Sequence, residues 1–277
     1  NALRGTTRRA MAPALLATTT LGAAACGISQ QQELEIGQQY ASQINRELPL
    51  VEDRDVVRYI NQLGNQIARH GGRNLSYRFY VVNTDVINAF AVPGGHVYIN
   101  RGLIDRTDNL SELAGVLAHE IAHVEARHGV EQMEKAQTAN LGLNVAYILL
   151  GRTPGGLESA AINVGGGLYF AQHGREAERE ADAMAVPLMV NAGIHPQGLA
   201  TFFFELLAER KRSPNTIEQW FSTHPLTEER IEAVRADIAR IPSGTLSRLQ
   251  TNSRQYTAIK ADLRNYPAPP PEYRANR

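Results

Sequence analysis

The feature that most constrains this chain is the segment His119–His123, which reads HEIAH inside a run dominated by alanine, leucine and valine. Such a run is typical of a buried helix. Residues four apart on an α-helix lie about 40° apart around the axis and about 6 Å along it. His119 and His123 can therefore bind one tetrahedral zinc ion, with Glu120 close enough to act on a water molecule. The pattern indicates a hydrolytic metal site.

A catalytic zinc site needs a third protein ligand, and the best candidate lies in the charged segment 175–182. Glu178, Ala181, Asp182 and Ala185 follow the i, i+3, i+4, i+7 spacing of one helix face. Glu178 can then reach the metal, while Asp182 can accept the free ring N–H of a ligating histidine. The alternative is a solvated charged helix. Other candidate ligands are Glu125, Glu131, His128 and His173, although His128 is better explained as a cap at the end of the first helix.

Four motifs in this order resemble the HtpX-like and CaaX-prenyl-protease-type zinc metallopeptidases. The similarity extends from about Glu33 to Ile241. The motifs are NAFAVPGGHVYINRGLI (88–104), HEIAHVEARH (119–128), REAEREAD (175–182) and STHPLTEERI (222–231).

The resemblance implies one Zn²⁺ per chain and a general base at Glu120. It also implies that Asp182 is the acid that accompanies the third ligand, and that His224 and Arg230 lie near the metal. In some relatives the counterpart of His224 is a fourth ligand that holds a resting state; a donor to the tetrahedral oxyanion is the other role open to His224 or Arg230. The implied metal ligands are His119, His123 and Glu178.

The resemblance further implies a zinc-dependent endopeptidase that hydrolyses misfolded or envelope proteins, with polypeptides as its substrates. The alternative is a non-proteolytic, chaperone-like envelope lipoprotein that binds zinc for structural purposes. Glu120 argues against that alternative, because a structural zinc site has no need of a base.

The amino-terminal segment 1–26 has the shape of a secretory signal. Three arginines precede the apolar stretch MAPALLATTTLGAAAC, which ends at Cys26, the only cysteine. This pattern resembles a bacterial lipoprotein signal, in which Cys26 carries the lipid anchor. We expect a periplasm-facing protein of the bacterial cell envelope, anchored in the outer membrane because Gly27 follows the cysteine. An ordinary cleaved signal peptide is the alternative.

Charge and hydropathy exclude two classes of function. The chain has 28 acidic and 28 basic residues, and without a basic stripe we expect no nucleic-acid partner. The uncharged stretches 136–151 and 159–172 are too polar or too short to cross a bilayer, which argues against a membrane-embedded prenyl-peptide protease. The glycine-rich segment 155–167 is either a cover over the active site or a plain connector.

The remaining pattern predicts an α+β fold, mainly helical and zincin-like, with the HExxH helix and a small antiparallel sheet. Asp108 or Ser111 is the expected cap of that helix. The metallopeptidase domain is expected at 27–266, followed by a proline-rich, disordered tail at 267–277, and no helical-repeat domain is visible. Helices are expected at 33–48, 53–70, 111–128, 131–150, 175–191, 198–212 and 227–240.

A strand at 75–82 and a hairpin at 90–100 form the expected sheet. An extended peptide substrate can add to an exposed sheet edge. That edge is expected within Asn88–Val92 or His96–Asn100, with an ordinary half-buried hairpin as the alternative. His96 is expected to be a surface histidine.

Overall fold

The computed structural model describes residues 27–138, 173–212 and 214–274. It confirms a mainly helical α+β fold with a three-stranded sheet. The helices are α1 (Gln30–Glu47), α2 (Arg54–Ala68), α3 (Arg101–Arg106), α4 (Leu110–Glu125), α5 (His128–Thr138), α6 (Arg175–Asn191), α7 (Gln197–Arg212), α8 (Pro214–Thr223), α9 (Glu228–Ala239), α10 (Ser243–Leu246) and α11 (Arg254–Asn265). The strands are β1 (Arg78–Val82), β2 (Ala89–Val92) and β3 (His96–Asn100).

The sheet has the order β1-β3-β2. The hairpin β2–β3 is antiparallel, with Ala89 opposite Ile99, but β1 runs parallel to β3, with Arg78 opposite His96. The expectation of an antiparallel sheet is therefore wrong for β1, because β3 inserts between the two earlier strands. Within the described residues β2 has a strand on one side only, so it is an edge.

The central position of β3 corrects two expectations. Its five residues are all buried, and both of its edges are paired, so His96–Asn100 cannot accept an added strand. His96 is not a surface residue: it is only 6% exposed, and its ring stacks on Tyr80.

Helix α4 lies at the centre of the molecule, and all of its residues are buried. Its N-cap is Asn109, whose side chain accepts from the backbone N–H groups of Ser111 and Glu112, so the expected cap at Asp108 or Ser111 is wrong. Helix α7 packs directly on the start of α4. A Cβ atom on Gly198 would lie 2.2 Å from the carbonyl of Ser111, so glycine permits this close backbone approach.

Helix α4 ends three residues earlier than expected. Arg127 adopts the left-handed conformation with φ of 61°, and the chain reverses there before α5 begins at His128. The expected role of His128 as a cap on the end of a continuous helix is wrong, because His128 starts the next helix.

The carboxyl-terminal segment also differs from the expected disordered tail as far as Arg274. Pro271–Tyr273 forms a 3₁₀ turn, and Tyr273 is 6% exposed. Its carbonyl accepts from Thr84 at 2.6 Å, and its hydroxyl donates to the Glu47 carbonyl at 2.5 Å. One buried aromatic residue therefore holds a segment whose composition suggests disorder.

The expected signal segment 1–26 and the glycine-rich segment 155–167 lie outside the described residues. None of the helices in the described part of the chain has the length and apolar character needed to cross a membrane.

Candidate metal centre

Helices α4 and α6 carry the residues that the sequence assigned to a metal. The predicted inner face of α6 is buried as expected: Glu178, Ala181 and Ala185 are fully buried, and Asp182 is 3% exposed. The alanines keep this face thin, so α6 packs closely against α4. This packing brings the carboxylate of Glu178 to the two histidines of the HEIAH segment.

Three side chains converge at the centre of the site. The Nε2 atoms of His119 and His123 are 3.0 Å apart. Glu178 Oε1 lies 3.3 Å from His123 Nε2, and its Oε2 lies 3.6 Å from His119 Nε2. All three side chains are at most 2% exposed. This is the two-histidine, one-carboxylate arrangement that the helix spacing predicts.

His224 reaches the same point from the end of α8. Its Nδ1 lies 3.2 Å from Glu178 Oε1 and 3.4 Å from His119 Nε2. Its backbone N–H donates to the Trp220 carbonyl at 2.7 Å, and its ring packs on the Trp220 indole. His224 is therefore held by the last turn of α8 and has no exposed surface.

Glu120 projects from α4 beside these groups and is 1% exposed. Its Oε1 lies 3.4 Å from His224 Nε2, but neither atom has a hydrogen-bond partner among the described residues. Burial raises the pKa of Glu120 above its usual value, partly opposed by the charges of His224 and His119. A raised pKa suits a carboxylate that must take up a proton.

Arg230, on α9, bridges the two buried acidic residues of α6, Glu178 and Asp182. Its Nε and Nη2 donate to the two oxygens of Asp182 at 2.7 and 2.8 Å. Its Nη1 donates to Glu178 at 2.5 Å and to the Pro225 carbonyl at 2.9 Å. Asp182 Oδ1 also lies 3.0 Å from His119 Nδ1. Arg230 and Asp182 thus lie behind the converging atoms, where they can orient Glu178 and His119.

The electrostatics of the site favour a bound cation. Burial alone would raise the pKa of Glu178, but the charge of His224 and hydrogen bonds from three histidines hold it well below its usual range. Burial alone would lower the pKa of His119, yet its contacts with Asp182 and Glu178 raise it to about 9. The negative charges of Asp182 and Glu178 favour a proton on His119. The same charges attract a divalent metal ion.

The donor set fits zinc. Imidazole nitrogens and one carboxylate are common ligands of catalytic zinc, which keeps one further position open. Burial lowers the pKa of His123 well below its usual value, so its ring is neutral, as a metal ligand must be. Four buried side chains offer ligand atoms within 4.8 Å of one another: His119, His123, Glu178 and His224.

The other candidate ligands named from the sequence divide into two groups. Glu125 accepts from the Tyr77 hydroxyl at 2.6 Å and points away from the site, and Glu131 is an exposed partner of Lys135. His128 and His173, by contrast, both pack against His123. The position of His128 depends on the turn at Arg127, and that of His173 on how the chain enters α6. Sequence spacing alone could not predict that either histidine contacts His123.

This combination of an HEIAH helix with a buried carboxylate from a second helix defines a metallopeptidase. The model of peptidase family M48 matches residues 52–238. The chain belongs to this family.

Three curated relatives show how far the similarity extends. The beta-barrel assembly-enhancing protease of Yersinia pestis is 34% identical over 218 residues, or 75% of this chain and 44% of that protein. Metalloprotease YcaL of Escherichia coli is 30% identical over 208 residues, covering 75% of this chain and 76% of that protein. Metalloprotease LoiP of Escherichia coli is 34% identical over 179 residues, covering 63% and 66%. The chain thus spans less than half the length of the first relative.

Proposed function

We propose that this chain is a zinc-dependent endopeptidase that cleaves polypeptides, among them misfolded or envelope proteins. The observation that carries the proposal is the convergence of His119, His123 and Glu178 beside the buried carboxylate of Glu120. The names of the relatives support it, since each is a protease and the first is named for β-barrel assembly.

Each nearby residue has a task in peptide hydrolysis. When bound, zinc would supply Lewis acidity, which activates water and polarises a scissile carbonyl. Glu120 takes the proton of the attacking water and delivers it to the leaving amine. Arg230 holds Glu178 and Asp182 in place through its guanidinium, a positioning role rather than the oxyanion contact that the sequence left open.

His224 retains two possible roles, and we favour that of a removable fourth ligand. Its Nδ1 lies among the other ligand atoms, where it would occupy the position that catalysis needs open. It would then act as a latch, released when substrate binds. The competing role is donation to the oxyanion, which predicts the opposite effect of its removal.

The edge strand β2 is the proposed binding site for extended substrates. Ala91, Val92 and Pro93, at the end of β2, line a small cavity together with His123. The end of β2 and the ring of His123 therefore border the same small space. A peptide paired with the edge of β2 would run past His123 through main-chain hydrogen bonds.

We propose attachment to the outer membrane through a lipid on Cys26, facing the periplasm. The residues that follow it are held close to the site: Ile28 packs on Val130 and Met133, and its N–H donates to Glu134 at 2.7 Å. Because these contacts lie on α5, a lipid on Cys26 would keep the membrane surface near the metal centre. Metabolic palmitate labelling that marks the wild type but not Cys26→Ala would support this anchor, and an unlabelled wild type would exclude it.

The substitution Glu120→Gln tests the proposed chemistry. It keeps the shape of the side chain but removes the base, so we expect hydrolysis of an unfolded protein substrate to fall by at least about 100-fold. Zinc content, measured by elemental analysis, should remain at the wild-type level because Glu120 is not a ligand. Near wild-type hydrolysis in this variant would reject the proteolytic mechanism and favour the chaperone-like alternative.

A further inference from the structure

The far side of the His123 ring faces a second buried histidine. His123 Nδ1 lies 2.8 Å from the Nδ1 of His128, which is 4% exposed. On a continuous helix, residues five apart would lie about 140° apart around the axis and would not meet. The left-handed conformation of Arg127 reverses the chain and brings His128 against His123.

The proton positions along this contact follow from the metal site. With a metal ion bound to His123 Nε2, which faces His119 and Glu178, the single proton of the neutral ring would be on Nδ1. That N–H donates to His128 Nδ1, which must accept. The proton of His128 is then on Nε2, which lies 3.3 Å from Glu180 Oε2.

We propose that His128 is a positioning residue that fixes the ring orientation and tautomer of His123, with Glu180 completing the chain of hydrogen bonds. The inference rests on the proposed role of His123 as a zinc ligand. Ligating histidines commonly donate their second ring N–H to such a partner, which strengthens metal binding. The two histidines of the HEIAH helix would then have different partners: a buried carboxylate, Asp182, for His119 and a neutral imidazole for His123.

A second metal ion among the three neighbouring imidazoles is the competing explanation. The ring of His173 stacks on His123 at 3.8 Å, and its Nδ1 has no hydrogen-bond partner among the described residues. A second ion would, however, require His123 to lose its remaining proton and bridge two cations. One shared proton already explains the 2.8 Å contact between His123 and His128, so we favour the hydrogen bond.

Three substitutions at one position test the proposal, with zinc affinity measured by competition with a chromophoric chelator. His128→Ala should weaken zinc binding by about 10- to 100-fold, as loss of such a partner typically does. His128→Asn places an amide oxygen near the original Nδ1 and should restore most of the affinity. His128→Gln places the same amide closer to Glu180, out of reach of His123, and should not restore it. His70→Ala, at an exposed histidine, is the matched control and should bind zinc as the wild type does.

The melting temperature of the metal-free protein separates positioning from a purely structural role. A lower melting temperature with wild-type zinc affinity in His128→Ala would overturn the proposal. If that variant does not fold, the Asn and Gln variants decide, and equal affinities in the two would also overturn it. Two zinc ions per wild-type chain, with one lost in His173→Ala, would establish the second metal site instead. Wild-type zinc affinity in Glu178→Ala would reject the proposed metal site itself, an outcome distinct from failure at His128 alone.

Discussion

Two clusters of charged and polar residues include side chains of α4, and they differ in how completely their polar atoms are paired. The first, here called the metal cluster, contains the proposed ligands His119, His123 and Glu178, together with Glu120 and His224. The second, here called the polar knot, lies at the end of α4 near the start of α1. Its members are Glu33, Arg73, Tyr77, Glu125 and Arg127.

In the polar knot every carboxylate oxygen accepts a hydrogen bond. Arg73 donates to both oxygens of Glu33 at 2.9 and 2.8 Å, and Arg127 adds a third bond at 2.9 Å. Glu125 accepts from Tyr77 and from the backbone N–H of Arg73. Because every carboxylate oxygen of the polar knot is paired within the cluster, the knot needs no ligand. Its role is to join α1, α4 and the segment between α2 and β1.

In the metal cluster, by contrast, buried atoms of Glu120 and His224 have no hydrogen-bond partner among the described residues. Buried polar atoms without partners are costly, so each of them needs an explanation. The comparison teaches that charge and burial alone do not identify a functional site. The convergence of ligand atoms from His119, His123, Glu178 and His224 does.

The largest effect on stability is expected at the polar knot. Glu33→Ala leaves Arg73 and Arg127 without their shared carboxylate and should lower the free energy of unfolding by about 3 kcal/mol, the lower end for a broken buried pair because both arginines are partly exposed. Urea denaturation measures this loss. Glu35→Ala, two residues away on the exposed side of α1, is the control and should change stability little. Equal losses in the two variants would show that the knot does not stabilise the fold.

The next effect concerns the unpaired atoms of the metal cluster. If His224 is a latch, His224→Ala should raise basal peptidase activity, by about tenfold if only one molecule in ten is open at rest. Initial rates on an unfolded substrate, with zinc content checked in parallel, provide the measurement. A loss of kcat by about 10²- to 10³-fold with zinc retained would instead identify His224 as an oxyanion donor.

The smallest expected effect concerns His96, a buried histidine outside both clusters. Burial, with a smaller contribution from the charge of Arg78, lowers the pKa of His96 from 6.5 to about 4, and its Nδ1 lies 3.3 Å from the Tyr80 hydroxyl. As the pH falls below 6.5, the unfolded chain takes up a proton that the folded ring excludes, so stability is lost towards pH 4. This histidine should account for about 1–2 kcal/mol of the stability lost between pH 7 and 5.

The variant His96→Gln should therefore lose less stability than the wild type between pH 7 and 5. Urea denaturation of the metal-free proteins at both pH values measures the difference, and His70→Gln, at an exposed site, should behave as the wild type. Identical pH dependence in His96→Gln and the wild type would show that His96 is protonated equally in both states.

The sequence predicts the metal cluster better than the polar knot, for a physical reason. Helical periodicity is local, so short stretches of sequence are enough to predict two features of the metal cluster. These are the spacing of His119 and His123 and the shared helix face of Glu178 and Asp182. The knot joins Glu33 to Arg73 and Arg127, which are 40 and 94 residues away. No local pattern reports such a pairing, and the sequence suggested a possible metal ligand at Glu125.

The parts of the fold that sequence reasoning missed also depend on distant contacts. The short helices α3 and α8 and the parallel pairing of β1 follow from packing rather than from periodicity. Arg127, which has a Cβ atom, adopts a conformation that favours glycine, and only its bonds to Glu33 and Ile28 indicate why. That one residue sets the contact between His128 and His123.

Zinc content and affinity in Glu178→Ala show whether the buried carboxylate of α6 holds the metal. We expect about one zinc per wild-type chain, because the two histidines and one carboxylate form a single site. In Glu178→Ala the zinc affinity should fall by more than about 100-fold. That is more than the loss of a hydrogen-bonding partner of a ligand typically causes. Glu35→Ala should retain full occupancy. Undiminished zinc content and affinity in Glu178→Ala would contradict the account, because the buried carboxylate would then have no part in holding the metal.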